Sequence, residues 1–162
     1  MTIEYFGLIL GFFAFLFLVQ PLLASGKKNS WEITSPLVID GDTIFSDGRK
    51  IRLHGIDAPE MDQAGGPAAK ALLDHMLSGE KITVVQTGED QYGRLVARLH
   101  THEGDICRIM VARGYAVASF HDDYKSTQKR AERQRSGLWN TGGIIDPAIH
   151  RRKTQRDRGA RA

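Results

Sequence analysis

Apolar and polar side chains alternate in the first half of the chain. Residues 37–39 and 43–45 are short runs rich in strand-forming residues, and residues 50–56 alternate apolar with polar side chains. A period of two is typical of a half-buried strand. Between the last two stretches, Ser46-Asp47-Gly48-Arg49 is typical of a hairpin turn. The pattern predicts two or three antiparallel strands in succession.

After these strands the spacing of the apolar residues changes to that of a helix, and it then returns to that of strands. Residues 67–77 are rich in Ala, Leu and Lys, with Pro67 suited to a first helical turn and Gly79 to the end. Four more elements follow from the same rules: strands at 81–85 and 95–99, and helices at 105–113 and 124–136. Strands with one helix among them and helices at the end predict an α+β fold, with three helices and a sheet that closes into a five-stranded β-barrel.

A long apolar stretch precedes these elements. Residues 5–24 contain no charged side chain, and a helix of 20 residues is about 30 Å long, the thickness of a bilayer core. We expect residues 1–24 to form one hydrophobic helix, either a retained membrane anchor or a signal peptide cleaved near residues 22–25; a buried core helix is a third reading. Lys27 and Lys28 favour a cytoplasmic carboxyl side, which conflicts with export. A membrane-anchored location and a secreted or periplasmic one therefore both stay open.

Positive charge is concentrated at the carboxyl end. The chain carries a net charge of +3, and residues 151–162 hold six basic side chains against one acidic. The body is therefore mildly acidic, so attraction to nucleic acid must come from local arginines and the tail. We predict a linker at 25–34, one folded domain at 35–140 and a basic, disordered tail at 141–162, because that end lacks apolar periodicity. The alternative for the tail is contact with nucleic acid or anionic lipid.

The chain has a single cysteine, Cys107. One cysteine excludes an intramolecular disulfide and a thiolate zinc cluster. Its apolar neighbours predict that Cys107 packs in the core.

Charged residues fall in three short clusters that together suit one kind of chemistry. The clusters are Asp40-Gly41-Asp42-Thr43, Arg52 with Asp57-Ala58-Pro59-Glu60, and Tyr92-Gly93-Arg94. Each cluster alone also suits a turn or a strand end. In combination, two Asp side chains suit a hard divalent cation, a Glu suits activation of water, and two forked arginines suit a phosphate. The set predicts cleavage of a phosphodiester.

The order and spacing of these motifs resemble the staphylococcal nuclease (thermonuclease) family over residues 35–139. The resemblance implies an OB-fold-like barrel with three helices. It also implies a calcium-dependent, sequence-nonspecific nuclease that acts on DNA, RNA or both and leaves a 3′-phosphate. The expected cofactor is Ca²⁺, the expected partners are DNA or RNA, and we expect a monomer.

The same resemblance implies a metal site. Asp42 and Asp57 match the metal-ligating carboxylates of the family. Ala58 stands where a backbone carbonyl completes the metal shell, and a backbone ligand tolerates a change of side chain.

The catalytic and nucleic-acid-binding roles are also implied by the resemblance. Glu60 matches the proposed general base, and Arg52 and Arg94 match the two phosphate-binding arginines. Tyr92 matches an aromatic side chain near the nucleotide, and Phe120 is expected to stack on a base.

Three features depart from the family pattern. The loop at residues 61–66 is short and carries no Lys, and Gln91 stands where the best-known member has Lys. Phe120 and Asp122 stand where that member has tyrosines near the base. Weaker or altered substrate binding is therefore expected. The rival hypotheses are a noncatalytic OB-fold module that binds single-stranded nucleic acid or a protein, and a membrane scaffold that uses the tail on lipid.

Overall fold

The computed structural model describes residues 29–119, 122–144 and 146–159. The predicted hydrophobic helix at 1–24 and the side chain of Phe120 lie outside the described residues. The strands are β1 Ser30–Thr34, β2 Leu37–Val38, β3 Thr43–Ser46, β4 Arg49–Leu53, β5 Ile56–Asp57, β6 Lys81–Glu89, β7 Leu95–Thr101, β8 Gly104–Asp105 and β9 Val117–Ala118. The helices are α1 Gly66–Leu77, α2 Ile106–Ala112, α3 Lys125–Arg133 and α4 Pro147–Gly159, with 3₁₀ turns at Asp122–Tyr124 and Gly137–Thr141. Among the described helices, none has the length and apolar character that a bilayer span requires.

One mixed sheet organises the domain. Its strand order is β1-β6-β7-β4-β3-β2, and β8 pairs with β7 at the side, while β5 and β9 form a separate two-stranded sheet. The pair β4–β7 is parallel and the other pairs are antiparallel. This confirms the α+β class and is consistent with an OB-fold-like barrel. The main sheet has seven strands rather than the predicted five, and the described chain has four helices rather than three.

The additional amino-terminal strand lies where the sequence predicted a linker. β1 pairs along its whole length with β6, with Ile33 opposite Ile82. Ile33 is buried and Trp31 packs on the core. Because these two side chains alternate with polar ones, they point to the same face of the sheet. Residues 30–34, which the sequence assigned to the linker, are therefore part of the main sheet in the described structure.

The predicted hairpin joins β3 and β4. Ser46 pairs with Arg49 across a two-residue loop, and the loop residues Asp47 and Gly48 have φ values of 50° and 75°. Positive φ at both positions is typical of a type I′ turn, which matches the twist of the strands that it joins. The turn fixes the register in which Arg52 faces Thr43.

The hydrophobic core lies on one face of the main sheet, where helix α1 packs against it. In β4, Ile51 and Leu53 are buried, while Arg52 between them points to the other side. Leu73 of α1 packs into the same cluster. Burial of each such side chain stabilises the fold by roughly 1.5–3 kcal/mol. The strands that carry the charged residues are thus held by apolar packing on their opposite face.

Helix α2 has the predicted amino-terminal cap. The carboxylate of Asp105 accepts a hydrogen bond from the backbone N–H of Arg108, and Gly114 follows the helix with φ 75°. Cys107 is buried in this helix as predicted. Burial raises the pKa of the Cys107 thiol to about 12, so the thiol is inert at neutral pH.

The carboxyl end differs from the disordered tail that the sequence predicted, because residues 147–159 form α4. Asp146 accepts a hydrogen bond on its carboxylate from the backbone N–H of Ala148, which caps the helix, and Pro147 is suited to the first turn. Arg151 and His150 attach the helix to the body through carboxylates. These polar contacts replace the apolar stripe whose absence led to the prediction of disorder.

Candidate active site

A cleft of about 530 Å³ opens at one end of β4. The lining residues are Asp40, Asp42, Thr43, Arg52, Ala58, Pro59, Glu60, Gln91, Tyr92, Arg94 and Arg151. The fold therefore brings the three sequence clusters to one place, and it adds Arg151 from α4.

A buried ion-pair network forms the floor of the cleft. The guanidinium of Arg52 contacts Oδ1 of Asp42, and it donates a hydrogen bond of 2.6 Å to Oδ1 of Asp57. The same group lies 3.3 Å from the carbonyl oxygen of Ile56. Both carboxylates are buried, and the fork of one arginine joins them. Removal of a partner from such a buried network leaves an uncompensated charge.

The turn before β3 fixes the orientation of Asp42. Its Oδ2 accepts a 2.7 Å hydrogen bond from the backbone N–H of Ala58, and its Oδ1 accepts one of 3.1 Å from the hydroxyl of Thr43. The turn passes so close to Ala58 and Ala69 that it requires glycine at position 41. A Cβ there would lie 2.6 Å from the Cβ of Ala58 and 2.8 Å from the Cβ of Ala69. The carboxylate of Asp42 is therefore held rigidly.

Glu60 stands on a short loop that Gln63 closes. The backbone N–H of Glu60 donates to Oε1 of Gln63 at 3.2 Å, and the backbone N–H of Gln63 donates to the carbonyl of Glu60 at 2.9 Å. Gln63 is buried. The side chain of Glu60 is about one third exposed (35%), so its carboxylate faces the cleft and solvent on a fixed backbone.

Arg94 enters the cleft from the β6–β7 turn. Its Nε donates a 2.7 Å hydrogen bond to Oδ2 of Asp90, and its backbone N–H donates to Oδ1 of the same side chain. Burial opposes ionisation of Asp90, but its hydrogen bonds to Arg94 and Tyr92 hold the pKa of Asp90 below its ordinary value. The ring of Tyr92 lies 5.5 Å from the Arg94 guanidinium carbon and is 74% exposed. An exposed ring beside a cation is available for stacking on a base.

The parallel pairing of β4 with β7 explains why two arginines 42 positions apart line the same cleft. Ile51 of β4 pairs with Leu95 of β7. Arg52 follows Ile51 and Arg94 precedes Leu95, so both arginines lie next to this pair on adjacent strands. The sequence contains no sign of this pairing, since nothing local distinguishes a parallel neighbour from an antiparallel one.

Arg151 is the residue that the sequence patterns missed. It donates from Nη1 to Oε1 of Glu60 at 2.7 Å and from Nη2 to Oδ2 of Asp57 at 2.8 Å, and Nη1 also lies 3.2 Å from Oδ1 of Asp57. The hydrogen bonds to Asp57 are the main cause of the raised pKa of Arg151. The only local signal was the helix start at Asp146-Pro147, which is an N-cap followed by a first-turn proline.

The acidic side chains suit a hard cation by their chemistry. In the described part of the chain no three His, Cys, Asp or Glu side chains are arranged as a metal cluster. The predicted set, however, consists of two Asp carboxylates and a main-chain carbonyl. Asp57 and Glu60 already converge on a cationic group, the Arg151 guanidinium. The predicted set fits a hard divalent ion by the type of its donors, since such ions prefer carboxylate and carbonyl oxygens.

The structure thus brings seven of the eight predicted site residues to one location. Six of them line the cleft, Asp57 binds the arginines at its floor, and Phe120 lies outside the described residues. Chemically, such a cleft offers fixed cations for an anionic substrate and a half-exposed carboxylate for proton transfer.

The family model described as "Staphylococcal nuclease homologue" matches residues 50–141, more than half of the chain. The match begins at β4 and ends at the 3₁₀ turn after α3, so it includes Arg52, Glu60 and Arg94.

Two curated bacterial proteins are similar over most of their length, and a third protein is similar over about a third of its length. A protein of Escherichia coli O157:H7 named "Uncharacterized endonuclease" is 32% identical over 127 residues, which cover 72% of this chain and 82% of that protein. A Haemophilus influenzae protein of the same name is 32% identical over 138 residues, with 80% and 76% covered. "Probable staphylococcal-like nuclease CAN1" of Oryza sativa subsp. japonica is 31% identical over 103 residues, 61% of this chain and 31% of that protein.

Proposed function

The chain belongs to the staphylococcal nuclease family, and we propose that it is a calcium-dependent endonuclease that hydrolyses DNA, RNA or both to 3′-phosphate products. The observation that carries this proposal is the convergence of Asp42, Arg52, Asp57, Glu60 and Arg94 on one cleft. The names of the related proteins support nuclease activity in general. Because residues of one chain line the whole cleft, we further propose that the monomer is active.

We propose that Asp42, Asp57 and the backbone carbonyl of Ala58 hold the calcium ion. When bound there, the ion would supply positive charge for the phosphate oxygens and would lower the pKa of a neighbouring water molecule. The rigid hold on Asp42 supports this assignment, since its carboxylate is fixed before any ligand arrives. Calcium tolerates a shell that waters complete.

The protein side chains supply the remaining roles. Glu60 takes the proton of the attacking water, since its carboxylate is accessible on a fixed loop. Arg52 and Arg94 bind the phosphate and stabilise the negative charge that grows on its equatorial oxygens. Asp90 binds the Nε and the backbone N–H of Arg94, and among the described residues no hydrogen bond occupies its two Nη groups, which can serve this purpose. Tyr92 stacks on a base of the bound strand, and we assign the same role to Phe120.

The proposal is tested by digestion of heat-denatured DNA and of RNA with the full-length protein, in calcium and in a calcium chelator. We expect cutting that requires calcium and leaves 3′-phosphate ends, which phosphatase-dependent ligation detects. Glu60→Gln should reduce the rate about 10²- to 10⁴-fold, the usual contribution of a general base.

A matched control is available two residues away. Asp62 is an exposed carboxylate that pairs with His150, so Asp62→Asn removes the same charge without touching the floor of the cleft. If Glu60→Gln and Asp62→Asn cut equally well, the assignment of the general base is wrong. If the folded protein binds DNA but never cuts it, the noncatalytic binding module is the better description.

We also propose that residues 5–24 attach the protein to a membrane or direct its export. The support is the uncharged apolar run in the sequence. Mass measurement of the mature chain distinguishes a retained segment from a cleaved one. Release of the intact protein by alkaline carbonate washing would contradict a transmembrane anchor.

A further inference from the structure

Arg151 occupies a position that the proposed function gives to a cation. It bridges Asp57, a proposed calcium ligand, and Glu60, the proposed general base. The residue is 94 positions from Asp57 in sequence and comes from α4. The family match ends at residue 141, before this helix begins.

The contacts leave Asp57 with little capacity for another ligand. Its Oδ1 accepts from Arg52 at 2.6 Å and lies 3.2 Å from Nη1 of Arg151, and its Oδ2 accepts from Nη2 of Arg151 at 2.8 Å. A divalent ion bound to Asp57 would stand a few ångströms from the Arg151 guanidinium. Like charges at that separation repel strongly in a partly desolvated cleft. The ion and the Arg151 guanidinium therefore compete for the same carboxylate oxygens.

Arg151 is also the member of the site that is easiest to move. Its side chain is 41% exposed, whereas that of Arg52 is 19% exposed. Arg52 belongs to a strand paired on both sides. The described part of α4 buries Pro147 but exposes Ile149 and Arg152, so little apolar packing opposes its departure.

We propose that Arg151 is an active-site residue that competes with the divalent cation for Asp57 and Glu60, and so sets the calcium affinity of the enzyme. The inference rests on the proposed function. When calcium binds, the guanidinium leaves, α4 loosens, and the carboxylate of Glu60 is released to accept a proton. The protein thus holds an internal cation in place of calcium at rest.

The test is calorimetric titration of the full-length protein with calcium chloride alone. Arg151→Ala should bind calcium about five- to tenfold more tightly than the wild type, the size expected for loss of a half-exposed, charge-assisted hydrogen-bonded pair. Arg152→Ala is the matched control. It removes the same charge from the adjacent position, where Nε donates to the Ala148 carbonyl of the same helix, and its affinity should stay within about twofold.

A second measurement follows α4 itself. Calcium should speed amide hydrogen exchange at residues 147–159 of the wild type and leave it unchanged in Arg151→Ala. If Arg151→Ala fails to fold, Arg151→Lys serves instead. It keeps the charge but loses the two-pronged contact, and it should bind calcium more tightly than the wild type, though by a smaller factor.

Equal calcium affinity in Arg151→Ala and Arg152→Ala would overturn the proposal, and so would weaker binding in Arg151→Ala. If no variant binds calcium, both the competition and the calcium dependence of the enzyme fail. If the wild type binds calcium and cuts DNA while Arg151→Ala has unchanged affinity, only the role of Arg151 fails.

Discussion

The two sides of the cleft are built in different ways. The floor, which carries Asp42, Arg52 and Asp57, is attached to strands whose other face packs in the core. The wall that carries Arg151 is a helix attached through polar contacts, namely His150 with the exposed Asp62 and the partly exposed Arg151 with the buried Asp57. Buried apolar packing sets geometry tightly, whereas exposed polar pairs contribute about 0–1 kcal/mol each. One side of this site is therefore preorganised, and the other is exchangeable.

The largest effect should come from the floor. Arg52→Ala leaves two buried carboxylates without their shared partner, so we expect a loss of activity of about 10²- to 10³-fold and a loss of about 2–3 kcal/mol of unfolding free energy in chelator. Calcium should restore part of that stability, because it neutralises the same carboxylates. Rate assays and urea denaturation with and without calcium measure both.

Arg49 of the same strand is exposed and supplies the control. Arg49→Ala should change activity less than about twofold and stability by less than about 0.5 kcal/mol. If Arg52→Ala is as mild as Arg49→Ala, the floor is not the preorganised part of the site.

The next effect concerns the packing that holds Asp42. Gly41→Ala introduces a methyl group against Ala58 and Ala69, and neither neighbour has a flexible side chain that can yield. We expect a cost of about 1–3 kcal/mol together with reduced activity, measured by denaturation and rate assays. Gly88→Ala is the control, because no atom lies within 4 Å of the added methyl and its φ is not in the left-handed region. A Gly41→Ala protein as stable as Gly88→Ala would show that the turn relaxes freely.

A smaller effect on stability is expected from α4, the exchangeable side of the cleft. Removal of residues 147–162 should lower the thermal midpoint by only a few degrees, since about 1 kcal/mol corresponds to roughly 2–4 °C in a chain of this length. The main sheet and the core lie outside the deleted residues. A fall of more than about 10 °C would mean that α4 is an integral part of the domain.

The smallest effect is expected at an exposed ion pair far from the cleft. Nδ1 of His102 lies 2.8 Å from Oε2 of Glu80, and hydrogen bonding to Glu80 raises the pKa of His102 above its ordinary value. A raised folded-state pKa gives stability that is full below the unfolded pKa of about 6.5 and is lost as the pH rises through the folded pKa.

His102→Gln should therefore lower the thermal midpoint slightly at pH 5.5 and leave it unchanged at pH 9. The measurement is a pair of thermal unfolding curves at each pH. A deficit of equal size at both pH values would show that the imidazole contributes by packing rather than by charge.

The local elements of this protein follow from its amino-acid sequence alone. The Asp47-Gly48 turn, the Asp105 cap and the helix at α1 were predictable because turns, caps and helical periodicity depend on neighbours a few residues apart. The motifs around Asp42, Glu60 and Arg94 were also recognisable in order. Their chemistry needed no fold to suggest it, since the residue types alone suit a cation and a phosphate.

Tertiary structure decided which of these parts meet. The parallel contact of β4 with β7 puts Arg94 beside Arg52, and the close approach of Gly41 to Ala58 sets Asp42. The insertion of Arg151 between Asp57 and Glu60 converts a tail with no apolar pattern into a wall of the cleft. Such contacts join residues far apart in sequence, and no local propensity encodes them. They form only when the burial of the core brings distant strands and the last helix to the same place.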